Sequence, residues 1–110
     1  MPVDVGTLAS QMLGAALPIL KKDASDAESF AKTEFTKIAQ TIVSIGQQVA
    51  NGQINQQQAS LLLDMQTSAS RNVLLTLQGL ALLAVEEAIN AALAVGKTAV
   101  NTAFGFALIA

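Results

Sequence analysis

RNVLLTLQGLALLAVEEAINAALAVGKTAVNTAFGFALIA, residues 71–110, carries four charged side chains, Arg71, Glu86, Glu87 and Lys97, among leucine, alanine and valine. No proline interrupts it, and Ala and Leu are strong helix formers. Its helix reaches back well before Arg71. Asn55 is a candidate cap, with Gln58 at the third helical position. No polar turn separates Gln56 from Phe104, so the pattern predicts one long C-terminal helix over about 56–104. At ~1.5 Å per residue it would be roughly 70 Å long. Gly79, Gly96 and Gly105 each cost about 1 kcal/mol there, and they mark bends or tight contacts.

Leu62, Val73, Ala84, Val95 and Phe106 recur every 11 residues, with Ala69, Leu80, Ala91 and Thr102 in parallel. That period keeps an apolar stripe nearly straight along a helix. Asp64, Ser68, Arg71, Glu86, Asn90, Lys97 and Asn101 gather on the opposite side. Leu75, Leu82 and Leu93 project into that same sector, so from Val73 to Val100 the helix is apolar nearly all round. Helices of that kind are buried in large cores, assemblies or membranes.

The preceding sequence supplies two shorter helices. In about 26–50, Ala31, Phe35, Ile38, Ile42, Ile45 and Val49 follow a 4-3-4-3-4 spacing, a seam suited to another helix. Ser25 and Glu28 form a capping box at its start, and Asn51-Gly52 is a left-handed stop. The short turn NGQIN then sends the next helix back antiparallel. A first helix over about 5–20 begins at Asp4 and shows Val5, Leu8, Ala9, Met12, Leu13, Ala16 and Leu20 on one face. Pro18 should end or kink it near Leu17. Residues 21–25 form the linker. The expected architecture is all-α: one domain over 1–110, with a helical hairpin at 26–110 and a short N-terminal helix.

Two helices of this length can line one side of the long rod but cannot surround it. Leu75, Leu82, Leu83 and Leu93 would remain in water, each forgoing about 1.5–3 kcal/mol. The rod therefore needs another cover, either further copies of the chain or lipid. Ala84, Ala88, Ala92 and Gly96, four apart, form a smooth ridge that permits close helix packing. The expected oligomer interface is Leu75, Leu82, Leu83, Ala84, Ala88, Ala92, Leu93 and Gly96. Glu86 or Glu87 could meet Lys97 of another subunit there.

Composition excludes most chemistry. The 110 residues contain no Cys and no His, which removes thiolate metal sites and the usual nucleophile–base pairs. A net charge of −2 and scattered basic residues argue against nucleic acid. Gly96-Lys97-Thr98 ends like a phosphate-binding loop, but Ala91 stands where that loop needs glycine, and the tripeptide lies inside a helical pattern. Adjacent Glu86 and Glu87 point about 100° apart and do not converge on one proton or metal. No cofactor, catalytic residue or small-molecule substrate is expected. The sequence shows no basic start followed by a cleavage site, and no standard transmembrane span. A cytoplasmic or particle-enclosed location follows as the expectation. Charges at 86, 87 and 97, and the absence of Trp and Tyr, weigh against a bilayer.

In composition, though not in motif, the chain resembles small Ala/Leu/Gln-rich helical proteins that polymerise or line virus and secretion particles. The expected role is a non-enzymatic structural protein that self-assembles into a ring, tube or filament, as a component of a virion or secretion-type particle. A membrane-active pore or phage ejection protein is the alternative, and an adaptor for a partner helix is a weaker one.

Overall fold

The computed structural model describes residues 4–20, 28–77 and 82–104. They form four helices: α1 Val5–Leu20, α2 Glu28–Ala50, α3 Gln56–Leu77 and α4 Leu82–Phe104, with no strand among the described residues. The capping box at Ser25 and the linker at 21–25 lie outside them.

Local signals set the helix ends. The Thr7 amide and hydroxyl donate to Asp4 Oδ2 at 2.9 and 3.0 Å, closing the start of α1. Those bonds, the amide first, hold the Asp4 carboxyl below its ordinary value of 3.8. Pro18 lies inside α1, which continues to Leu20 rather than stopping near Leu17. Pro18 and Gly14, the residue four before it, are both exposed. Water can therefore take the carbonyl that proline leaves without a donor.

The end of α2 is a Schellman turn. Gly52 adopts φ +75°, its amide donates to Val49 O at 3.0 Å, and the Gln53 amide donates to Gln48 O at 2.8 Å. A reciprocal cap opens α3. The Gln58 amide donates to Asn55 Oδ1 at 2.8 Å, and the Asn55 amide donates to Gln58 Oε1 at 2.9 Å.

The stretch expected as one rod is two helices. A straight helix over 56–104 would be roughly 70 Å long, whereas the longest dimension of the structure is 41 Å. The discontinuity brackets Gly79, which itself lies outside the described residues. Burial explains why two helices win. Val85, Ile89 and Val100 of α4 are at most 2% exposed. Each such side chain gains about 1.5–3 kcal/mol over exposure, more than a helix loses at one glycine.

Once the rod is broken, the 11-residue stripe loses its meaning. Leu62 is exposed, and Val73, Ala84 and Val95 are only half-buried. The buried line of α3 is instead Ala59, Leu63, Thr67, Ser70 and Leu74. That of α4 is Val85, Ala88, Ile89, Ala92, Gly96 and Val100.

The seam of α2 is the spine of the core. Ala31, Phe35, Ile38 and Ile42 are fully buried, Ile45 is nearly so, and Val49 packs at the margin. The expected face of α1 is inward too, with Leu8, Ala9, Met12, Ala16 and Leu20 buried. Helix α1 packs chiefly on α4 and α2, and α2 also carries α3. Smaller contacts join α4 to α2 and to α3, while α1 and α3 share none.

Candidate association surface

The expected interface residues fall into two groups. Ala88 and Ala92 are fully buried, and Gly96 is buried as well. A Cβ on Gly96 would lie 3.5 Å from Met12 Sδ and 3.7 Å from Ile42 Cδ1. The smooth ridge thus lets α4 approach α1 and α2 within one chain, and this corrects its placement on an outer face. Leu75 and Leu93 also pack against the core, and Ala84 is half-buried. Only Leu82 and Leu83 remain open, at 53% and 69% exposure. Glu86, Glu87 and Lys97 are exposed along α4.

A second apolar surface lies on α3, where sequence reasoning did not place one. Leu61, Leu62 and Met65 are 61%, 38% and 62% exposed. The run Leu61-Leu62-Leu63 was the available signal. Consecutive helical residues turn by about 100°, so three leucines in a row cannot all face one core. Leu63 is the one buried. Phe30, near the start of α2, is also exposed.

Beside this strip runs an open groove of about 630 Å³ between α2 and α3, with Ile45, Leu62, Met65 and Ala69 as its apolar lining. Glutamines 40, 48 and 66 and Lys37 rim it. Lys37 Nζ reaches the buried Glu34 carboxylate at 3.2 Å, so the cation beside the groove is already engaged. A shallower hollow of about 700 Å³ on the α1–α4 flank is lined by Gln11, Ala94, Val95, Thr98 and Ala99, with no charged group.

The described residues hold no cluster of three His, Cys, Asp or Glu side chains able to bind a metal. None of their helices is long and apolar enough to cross a membrane. Gly96-Lys97-Thr98 sits inside α4, where the Thr98 hydroxyl donates to Ala94 O at 3.4 Å. Those backbone amides belong to a helix and form no phosphate loop. No protein-family model matches the chain, and no curated protein or solved structure is significantly similar to it.

Proposed function

We propose that this is a non-enzymatic helical protein that associates with copies of itself through the apolar side chains its own fold leaves outside. The observation that carries this reading is the exposure of Leu61, Leu62 and Met65 on neighbouring turns of α3. Large apolar side chains standing together in water favour a partner surface.

Leu82 and Leu83 add a second apolar point. Leu82 lies five residues beyond Leu77, the end of α3. Leu61 to Met65 lie toward the other end of α3, about 20 Å away along its axis. Two separated apolar points suit a head-to-tail contact, which produces rings when it closes and filaments when it does not. A ring, tube or filament component of a larger particle is the role this arrangement supports. The unit that repeats would be the folded bundle, with the α2–α3 pair on its outer side.

Size-exclusion chromatography with light scattering, with and without detergent, tests this. The wild-type chain should form a defined particle larger than one copy without detergent. Leu61→Glu with Met65→Glu should shrink it while helicity by circular dichroism is retained, and Leu82→Glu should do the same if the second point takes part. A single-copy species at every concentration would refute self-association. Ill-defined aggregates that detergent resolves would favour a lipid-seeking, membrane-active protein instead.

A further inference from the structure

We propose that α3 is a separately opening unit, which melts away from α2 while α1, α2 and α4 stay folded. Four observations carry this. First, α1, α2 and α4 close on one another. Gly96 of α4 sits against Met12 of α1 and Ile42 of α2, so the three helices share one junction. Helix α3 packs on α2 and more lightly on α4, and its backbone does not come near α1, so it is held from fewer sides than the other three helices.

Second, the inward face of α3 is weakly apolar. Two of its five buried positions are Thr67 and Ser70. Their hydroxyl bonds stay within α3: Thr67 donates to Asp64 O at 3.1 Å, and Ser70 accepts from Gln66 Nε2 at 3.2 Å. These bonds do not tie α3 to α2. Third, Nε of Arg71 is buried with no hydrogen-bond partner, which favours any state that returns it to water. Fourth, much of the bulk that could have anchored the helix stands open: Leu61 and Met65 are more than half exposed, and Leu62 and Met65 line an open groove against α2 instead of closing on it.

Once released, α3 would not hold its helix. Ser60, Asp64, Thr67, Ser68, Ser70, Asn72 and Thr76 are all poor helix formers, and an isolated helix of this length is marginal in water. Chain connectivity permits the opening. A melted stretch 51–77 could span about 90 Å at ~3.3 Å per residue, far more than the 41 Å length of the structure. The α2 and α4 ends can therefore keep their places. Local units of this kind open below the global unfolding free energy.

Hydrogen exchange of the full chain, read by mass spectrometry at rising urea, tests the proposal. Amides of 56–77 should exchange at least ~10-fold faster than those of α1 and α4, with a shallower urea dependence, because opening α3 exposes less surface. Met12→Ala, in a helix whose backbone does not come near α3, should accelerate α1 and α4 and leave α3 unchanged. Ala16→Gly is the milder companion if Met12→Ala unfolds the chain. Equal protection and equal urea slopes across all four helices would overturn the proposal. So would α3 accelerating in step with α1 in either variant.

Discussion

Gly96 offers a sharp test of the three-helix junction. In Gly96→Ala the new Cβ would meet Met12 Sδ at 3.5 Å and both Met12 Cγ and Ile42 Cδ1 at 3.7 Å. These are contact distances, and nothing has to move. Replacing glycine by alanine inside a helix gains about 1 kcal/mol. Three new atom contacts add only a few tenths at ~0.1–0.2 kcal/mol each. The expected gain is about 1 kcal/mol, which should raise the melting temperature by roughly 5 °C in a chain of this size. Gly14→Ala is the control, since a Cβ there meets nothing within 4 Å and only the backbone gain applies. Gly96→Val places two further methyls beyond that Cβ, into space held by Met12 and Ile42, and overpacking should cost about 1–3 kcal/mol. Urea denaturation followed at 222 nm measures all three. A loss from Gly96→Ala, or no penalty from Gly96→Val, would mean that α4 does not sit on α1 and α2 as described.

Three further predictions concern the helix ends. Asn55→Ala removes one half of the reciprocal cap on α3, and Gly52→Ala forces a side chain into a left-handed turn. Each should lower stability by about 1 kcal/mol in the same denaturation assay. The Asp4 carboxyl titrates below 3.8 in the folded chain because the Thr7 amide and hydroxyl favour its charged form. Its contribution to α1 is therefore in place above pH 3.8 and is lost as pH falls through the depressed folded value. The Thr7 amide resonance should titrate in that acid window in the wild type, and it should stay flat in Asp4→Asn.

Helix identity was legible wherever one face carried the information. The seam Ala31–Val49 and the face Leu8–Leu20 each have a single apolar side, and the structure buries both. Capping chemistry was equally plain at Asp4 and Asn55, because a side-chain oxygen at a set distance from the next free amide is a local matter. The break between α3 and α4 was not. No proline or polar turn marks it, and one glycine costs only about 1 kcal/mol. What decides it is the burial of Val85, Ile89 and Val100 against helices distant in sequence. A helical phase carried unbroken from α3 into α4 puts Leu62 and Val95 on one stripe, whereas in the fold Leu62 is exposed and Val95 half-buried. The outer strip on α3 was hidden for a related reason. A polar inner face with Thr67 and Ser70 runs against the rule that the larger apolar side chains turn inward.

Breaking the rod also changes the grounds for self-association. A single 49-residue apolar helix would have needed outside cover along most of its length. In the folded chain, α1 and α2 supply that cover to α4, and the ridge Ala88, Ala92 and Gly96 is consumed in doing so. What remains outside among the described residues is smaller and lies elsewhere, at Leu61, Leu62 and Met65, at Leu82 and Leu83, and at Phe30. Leu61 and Met65 are more than half exposed, so they give the fold little stability. Replacing Leu61 and Met65 by glutamate should therefore leave the monomer's unfolding free energy nearly unchanged, within about 0.5 kcal/mol per site. A core side chain such as Phe35, fully buried, should cost about 3–5 kcal/mol when cut to alanine. Together the two measurements separate a surface kept for assembly from one needed to fold. If the glutamate variants lost as much stability as Phe35→Ala, the α3 strip would belong to the core of the chain, and the surface assigned here to neighbouring copies would not exist.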